Sequence, residues 1–232
     1  MGSEPDYPQR STEEIETLAD KLIQDYASHV ELPSTITPPI PVEDIAEHYL
    51  GYSIEITNEG VFADPEMLGG IDFDAKVIFT NVSVEDHDGR YSFTVAHELG
   101  HHVLHREAYL QQENVEDAEI LCRDASEKPQ IEIEADRFAA ALLMPSEMIR
   151  SALPAVAPRP KVSSIGQARG LASRVIKAGG FANVSNTAMI NRLMDLGMIS
   201  HTIGYQTGTY KGGTGRPMFM GLIRKYLTRV FR

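Results

Sequence analysis

His97-Glu98-Leu-Gly-His101 constrains this chain more than any other stretch. It stands within Arg90 to His105, a run that reads as a helix. Residues four apart share one helical face and lie about 6 Å apart along the axis. His97 and His101 can therefore aim imidazole nitrogens at one ion. Zinc suits such a pair, because it takes nitrogen and oxygen ligands at about 2.0–2.2 Å in near-tetrahedral geometry. Glu98 sits beside the first histidine, on the same side of the helix. There it could take a proton from a water held at the ion.

A working zinc site needs a third protein ligand and a position left for water. His105 lies about 12 Å along the axis from His97, too far to share the ion on an unbroken helix. It is expected at the helix C-terminal end, and His102 is expected to face solvent or a neighbour. The better candidate is in Ile131 to Pro145. Ile131, Ala135, Phe138 and Leu142 form an apolar helical stripe, with Glu132 and Asp136 four apart beside it. If that stripe packs on the first helix, Glu132 completes the zinc site. Asp136 then accepts the other ring N–H of a ligand histidine and fixes its tautomer. Glu134 is turned about 200° from Glu132 and is expected to be solvated.

Three runs together resemble the ImmA/IrrE family of bacterial and phage zinc metallopeptidases, over roughly residues 11 to 200. They are Ser92 to His101, Glu132-x-x-Ala135-x-x-Phe138-Ala139, and Leu142-Leu-Met-Pro145. The resemblance implies a zincin-like core of the gluzincin type, with His97, His101 and Glu132 holding zinc and Glu98 as the catalytic base. The position of Asp136 often carries Asn in relatives. It also implies a protein substrate, a helix-turn-helix transcriptional repressor whose cutting releases stress, phage or mobile-element genes.

The rest of the chain reads as an α+β fold, mostly helical with a small antiparallel sheet. Residues 1–10 look disordered. Ser11 and Glu14 form a capping box for a helix with Ile15, Leu18, Leu22, Tyr26 and Val30 on one face. The Pro-rich stretch Leu32 to Pro41 ends it, and Val42 to Tyr49 reads as a short helix. Tyr52–Thr57, Met67–Phe73 and Lys76–Thr80 read as strands. Lys76–Thr80 is expected at the sheet edge, where an extended peptide could add as a further strand. Glu107 to Lys128 is acidic and reads as a loop or exposed helix near the cleft.

Ser146 is placed as cap of a helix over Glu147–Leu153, before a linker holding Pro154, Pro158 and Pro160. The peptidase unit is thus set at residues 11–153. A helix over Ser163–Ala178, closed by Gly179-Gly180, and one capped by Ser185 give residues 160–200 a helix-turn-helix outline. Its exposed face would offer Asn186, Thr187, Asn191 and Arg192. Gly212 to Gly215 lacks the Lys-Ser/Thr of a phosphate loop.

The net charge of −12 is unevenly spread. Asp195 is the last acid, and six Lys and Arg follow it, so residues 201–232 form a basic tail. The second capped helix holds few cations, so the tail would have to neutralise phosphates if DNA were bound. Direct DNA contact is therefore a rival reading, as is a non-catalytic antirepressor on the same scaffold. No apolar run approaches the roughly 20 residues that span a bilayer, which argues against a membrane partner. The acidic opening, Met1 to Asp6, is no secretory signal, and the lone Cys122 suits a reducing cytoplasm. Arg90, Tyr109, Tyr205 and Tyr210 are candidate donors to a developing oxyanion.

Overall fold

A computed structural model describes residues 7–31, 36–57, 68–85, 87–111, 130–157 and 160–200. Cys122, Tyr205, Tyr210, most of the acidic segment after Gln111 and the basic tail lie outside the described residues.

Helix α1 (Thr12–His29) opens with the capping box that its sequence predicts. The Ser11 N–H donates to Glu14 Oε2 at 2.7 Å, and the Glu14 N–H donates to Ser11 Oγ at 3.2 Å. Ile15, Ala19, Leu22, Ile23 and Tyr26 are its buried face. After it, α2 (Val42–Asp44) runs directly into one π-helical stretch, Ile45–Tyr49.

Among the described residues the sheet has three strands, β1 (Ser53–Thr57), β2 (Gly69–Asp72) and β3 (Val77–Asn81), in the order β1-β3-β2. β3 pairs parallel with β1 and antiparallel with β2. The sheet is therefore mixed, not antiparallel, and Val77–Asn81 is its centre, not its edge. Alternation along a strand reports which face is buried but not which neighbours it has. Alternation alone therefore cannot tell a central strand from an edge.

Helix α3 (Asp88–Leu104) lies against the sheet and α5 (Gln130–Leu143) lies against α3, with the short α4 (Arg106–Gln111) following α3. The expected stripe holds: Ala135, Phe138 and Leu142 are fully buried and Ile131 nearly so. The two helices approach closely at Gly100, where an added Cβ would stand 3.1 Å from the Ala135 carbonyl oxygen and 3.2 Å from its Cα. A residue without a side chain at that crossing lets the two backbones come this near.

Helix α6 (Ser146–Val156) begins one residue before its expected start, with Pro145 as its cap, so Ser146 is helical and does not cap. It also continues through Pro154, two residues before its end. Helices α7 (Ile165–Gly179) and α8 (Asn186–Asp195) follow. Ser164 and Ser185 cap them, and Gly180, at φ 76°, ends α7 in the left-handed conformation. They pack on the body: Asn183 Nδ2 donates to the Ile40 carbonyl at 3.1 Å. Arg192, expected on the exposed face, is buried. Its Nε donates to the Met144 carbonyl at 3.0 Å, and its two terminal nitrogens grip the Glu16 carboxylate of α1.

Candidate metal centre

Helical spacing puts His97 and His101 on one face of α3, and the α3–α5 crossing brings Glu132 to them. The Nε2 atoms of His97 and His101 are 3.0 Å apart. Glu132 Oε2 stands 3.2 Å from His97 Nε2, and Oε1 stands 3.4 Å from His101 Nε2. All three residues are buried, with a ligand atom of each within 4.8 Å of the others. Ligands of a tetrahedral zinc at about 2.0–2.2 Å stand ~3.3 Å apart, which these separations match. Among the described residues, Glu132 Oε2 is buried with no hydrogen-bond partner. A buried carboxylate oxygen without a donor costs free energy unless something else satisfies it. Two imidazoles, one carboxylate and an unsatisfied oxygen together fit a divalent cation.

Asp136 lies where i,i+4 spacing predicts. Its Oδ1 accepts from His97 Nδ1 at 2.9 Å, so His97 Nε2 is the nitrogen that faces the cluster. Burial pushes the His97 pKa down, but Asp136 and then Glu132 outweigh it and lift the group to about 9. For Glu132, burial works upward, but His101 and His97 win and hold it well below the ordinary carboxylate range. His101 is lowered, chiefly by burial.

Glu98 is almost fully buried, and its Oε1 has no hydrogen-bond partner among the described residues. Burial pushes its pKa up to about 8, against the opposing pull of His97. Strand β2 passes directly over it: a Cβ at Gly69 would lie 3.1 Å from Glu98 Oε1. The edge strand beside the cluster is therefore β2.

Residues 40–156, half of the chain, match the IrrE N-terminal-like domain of the M78 peptidases. The chain belongs to this family. Among curated proteins none matches it significantly. The matched span of this M78 peptidase contains His97, Glu98, His101, Glu132 and Asp136, while α1, α7 and α8 lie outside it.

One expectation around the M78 site fails, whereas His105 caps the C-terminal end of α3 as expected. Glu134 is fully buried, not solvated, and His105 is fully buried beside it, 3.4 Å from Nε2 to Oε2. The signal was present: His105 continues the four-residue ladder of His97 and His101, and a buried imidazole needs a polar partner. His102 faces a neighbour, with Nδ1 2.8 Å from the Tyr52 hydroxyl. Of the candidate oxyanion donors, Arg90 is exposed at the start of α3, whereas the Tyr109 ring lies 6.5 Å from that of His101. Residues 7–10, read as disordered, are described, and the Arg10 N–H donates to Glu134 Oε1 at 3.3 Å.

Charge is divided more sharply than the tail alone suggests. Asp195 is the one acid after Glu147, whereas 13 of the 21 Lys and Arg come after Glu147. Among the described residues no helix is long and apolar enough to cross a membrane.

Proposed function

We propose that this protein is a zinc-dependent endopeptidase that cuts a helix-turn-helix transcriptional repressor. The observation that carries the catalytic half of this reading is Glu98. It is a buried carboxylate next to the His97–His101–Glu132 cluster and under an edge strand. A site that merely held a metal for stability would have no need of that carboxylate.

Zinc, when bound, supplies a Lewis acid that lowers the pKa of a water toward about 7, and a positive charge that draws the Glu98 pKa down from about 8. Glu98 takes the proton of the attacking water and passes it to the departing amine. Asp136 keeps the hydrogen of His97 on Nδ1. Strand β2, the sheet edge nearest the cluster among the described residues, offers its main chain to an extended peptide, and Gly69 lets that strand pack closely on Thr94 and Glu98. Tyr109 is the donor we assign to the developing oxyanion.

The test is incubation of the zinc-loaded wild type and Glu98→Gln with each helix-turn-helix repressor that the neighbouring genes encode. Cleavage by the wild type alone supports the enzyme. Equal derepression by both proteins would establish a binding antirepressor instead.

A second reading is favoured by the charge division. Helix α7 exposes Arg169, Arg174 and Lys177, with Gly166 before them and Gly170 between the two arginines adding no bulk. Such a flat cationic face suits a phosphate backbone better than α8 does, whose exposed residues include Asn186, Thr187 and Asp195. If α7 neutralises phosphates, replacing the three cations by Ala lowers the salt slope of DNA binding by about 2–3. An unchanged slope rules this face out.

A further inference from the structure

Behind the metal cluster runs a line of buried polar groups that the proposed reaction does not use. His101 Nδ1 lies 3.1 Å from His105 Nδ1. His105 Nε2 lies 3.4 Å from Glu134 Oε2. His105 and Glu134 are both fully buried. Glu134 Oε1 also accepts from Gln130 Nε2 at 3.1 Å and from the Arg10 N–H at 3.3 Å. Tyr7 packs edge-on against the His105 ring, 5.1 Å between centroids. The segment before α1 therefore closes the outer end of the line.

Counting hydrogens gives the line a direction. A carboxylate only accepts, so Glu134 Oε2 takes the hydrogen of His105 Nε2. A neutral His105 then presents a bare Nδ1. Only one hydrogen fits between two facing Nδ1 atoms, so it belongs to His101. A neutral His101 with its hydrogen on Nδ1 has a bare Nε2, the atom that faces Glu132 and His97. Run the other way, the line would place a hydrogen on His101 Nε2 and block the cluster.

We propose that His105 and Glu134 are positioning residues that hold His101 in its metal-binding tautomer, as Asp136 holds His97. Each ligand histidine then has its own carboxylate, reached directly for His97 and through one intervening imidazole for His101. Both carboxylates come from α5, the helix that also supplies Glu132. The proposal rests on reading His97, His101 and Glu132 as a metal site.

Two measurements test it on the zinc-loaded full chain. Nitrogen NMR of the imidazoles is expected to show His101 with its hydrogen on Nδ1 and His105 with its hydrogen on Nε2. A His101 without a hydrogen on Nδ1 overturns the proposal while leaving zinc binding intact. The second measurement is zinc affinity by chelator competition. His105→Phe keeps the ring against Tyr7 but removes the acceptor, and affinity is expected to fall about 10–100-fold. His105→Gln restores an acceptor and is expected to recover most of that loss. Wild-type affinity in the Phe variant, or no recovery in the Gln variant, counts against the proposal. A wild-type chain that takes up no zinc at all sinks the metal reading and this proposal together.

Discussion

Gly100 of α3 faces Ala135 of α5 so closely that a Cβ on the glycine would meet the Ala135 backbone at 3.1–3.2 Å. This contact sets how near Glu132 comes to the two histidines. A helical Gly→Ala change ordinarily gains about 1 kcal/mol. Here the new methyl presses on backbone, which cannot swing aside, and crowding of that kind costs ~1–3 kcal/mol. Gly100→Ala is therefore expected to be close to neutral or mildly destabilising, yet to weaken zinc binding by displacing α5. Thermal unfolding and zinc titration on one sample separate the two effects. A stabilised variant with unchanged zinc affinity would show that the crossing does not position Glu132.

Zinc binding should release protons. His97 is raised from 6.5 to about 9 in the metal-free protein, so at pH 7 it carries a proton that ligation must displace. The metal-free fold has the full benefit of that proton below about pH 6.5 and loses it as pH rises through about 9. Zinc affinity is accordingly expected to rise with pH across this window. Calorimetry at pH 7 in buffers of different ionisation enthalpy should show net proton release. Heat independent of buffer would contradict the protonated His97.

Acid should loosen the packing of α3 on the sheet. His102 is lowered from 6.5 to about 4, first by burial and then by Lys76 and Arg106 nearby. Its Nδ1 meets the Tyr52 hydroxyl, and Lys76 Nζ sits 4.3 Å from the centre of the Tyr52 ring. A group whose folded pKa is depressed contributes stability above its unfolded value and loses it as pH falls through the folded one. The melting temperature is expected to drop between about pH 6.5 and 4, and less steeply in His102→Gln. Equal slopes in the two proteins would place the acid sensitivity elsewhere.

The Arg192–Glu16 pair joins α8 to α1. Removing one partner of a buried pair leaves the other charge uncompensated, at a cost of about 3–5 kcal/mol. Glu16 is 22% exposed, so Glu16→Ala is expected near the low end of that range, read by denaturant unfolding. A cost under about 1 kcal/mol would mean the pair contributes no more than a surface contact.

What the sequence made legible was local. Four-residue spacing placed His97 with His101 and Glu132 with Asp136, and the apolar stripe told which face of α5 turns inward. Capping chemistry marked Ser11 and Ser185 as helix starts. What it hid was set by long-range neighbours. Strand alternation says nothing of partner order, so it cannot tell β3, the central strand, from an edge. Glu134 and Arg192 carry charge and were read as solvated, yet each finds partners from distant segments, Arg10 and His105 for one, Glu16 and Met144 for the other. The stretch beyond Glu147, with Asp195 as its one acid, shows the charge division directly in the sequence.

The central claim is that Glu132 joins His97 and His101 around one cation. Equilibrium zinc binding to the wild type and to Glu132→Ala, with circular dichroism to verify the fold, tests it most directly. One zinc per wild-type chain and binding weakened at least about 100-fold in a folded variant is the predicted result. Equal zinc binding by the two proteins would contradict it.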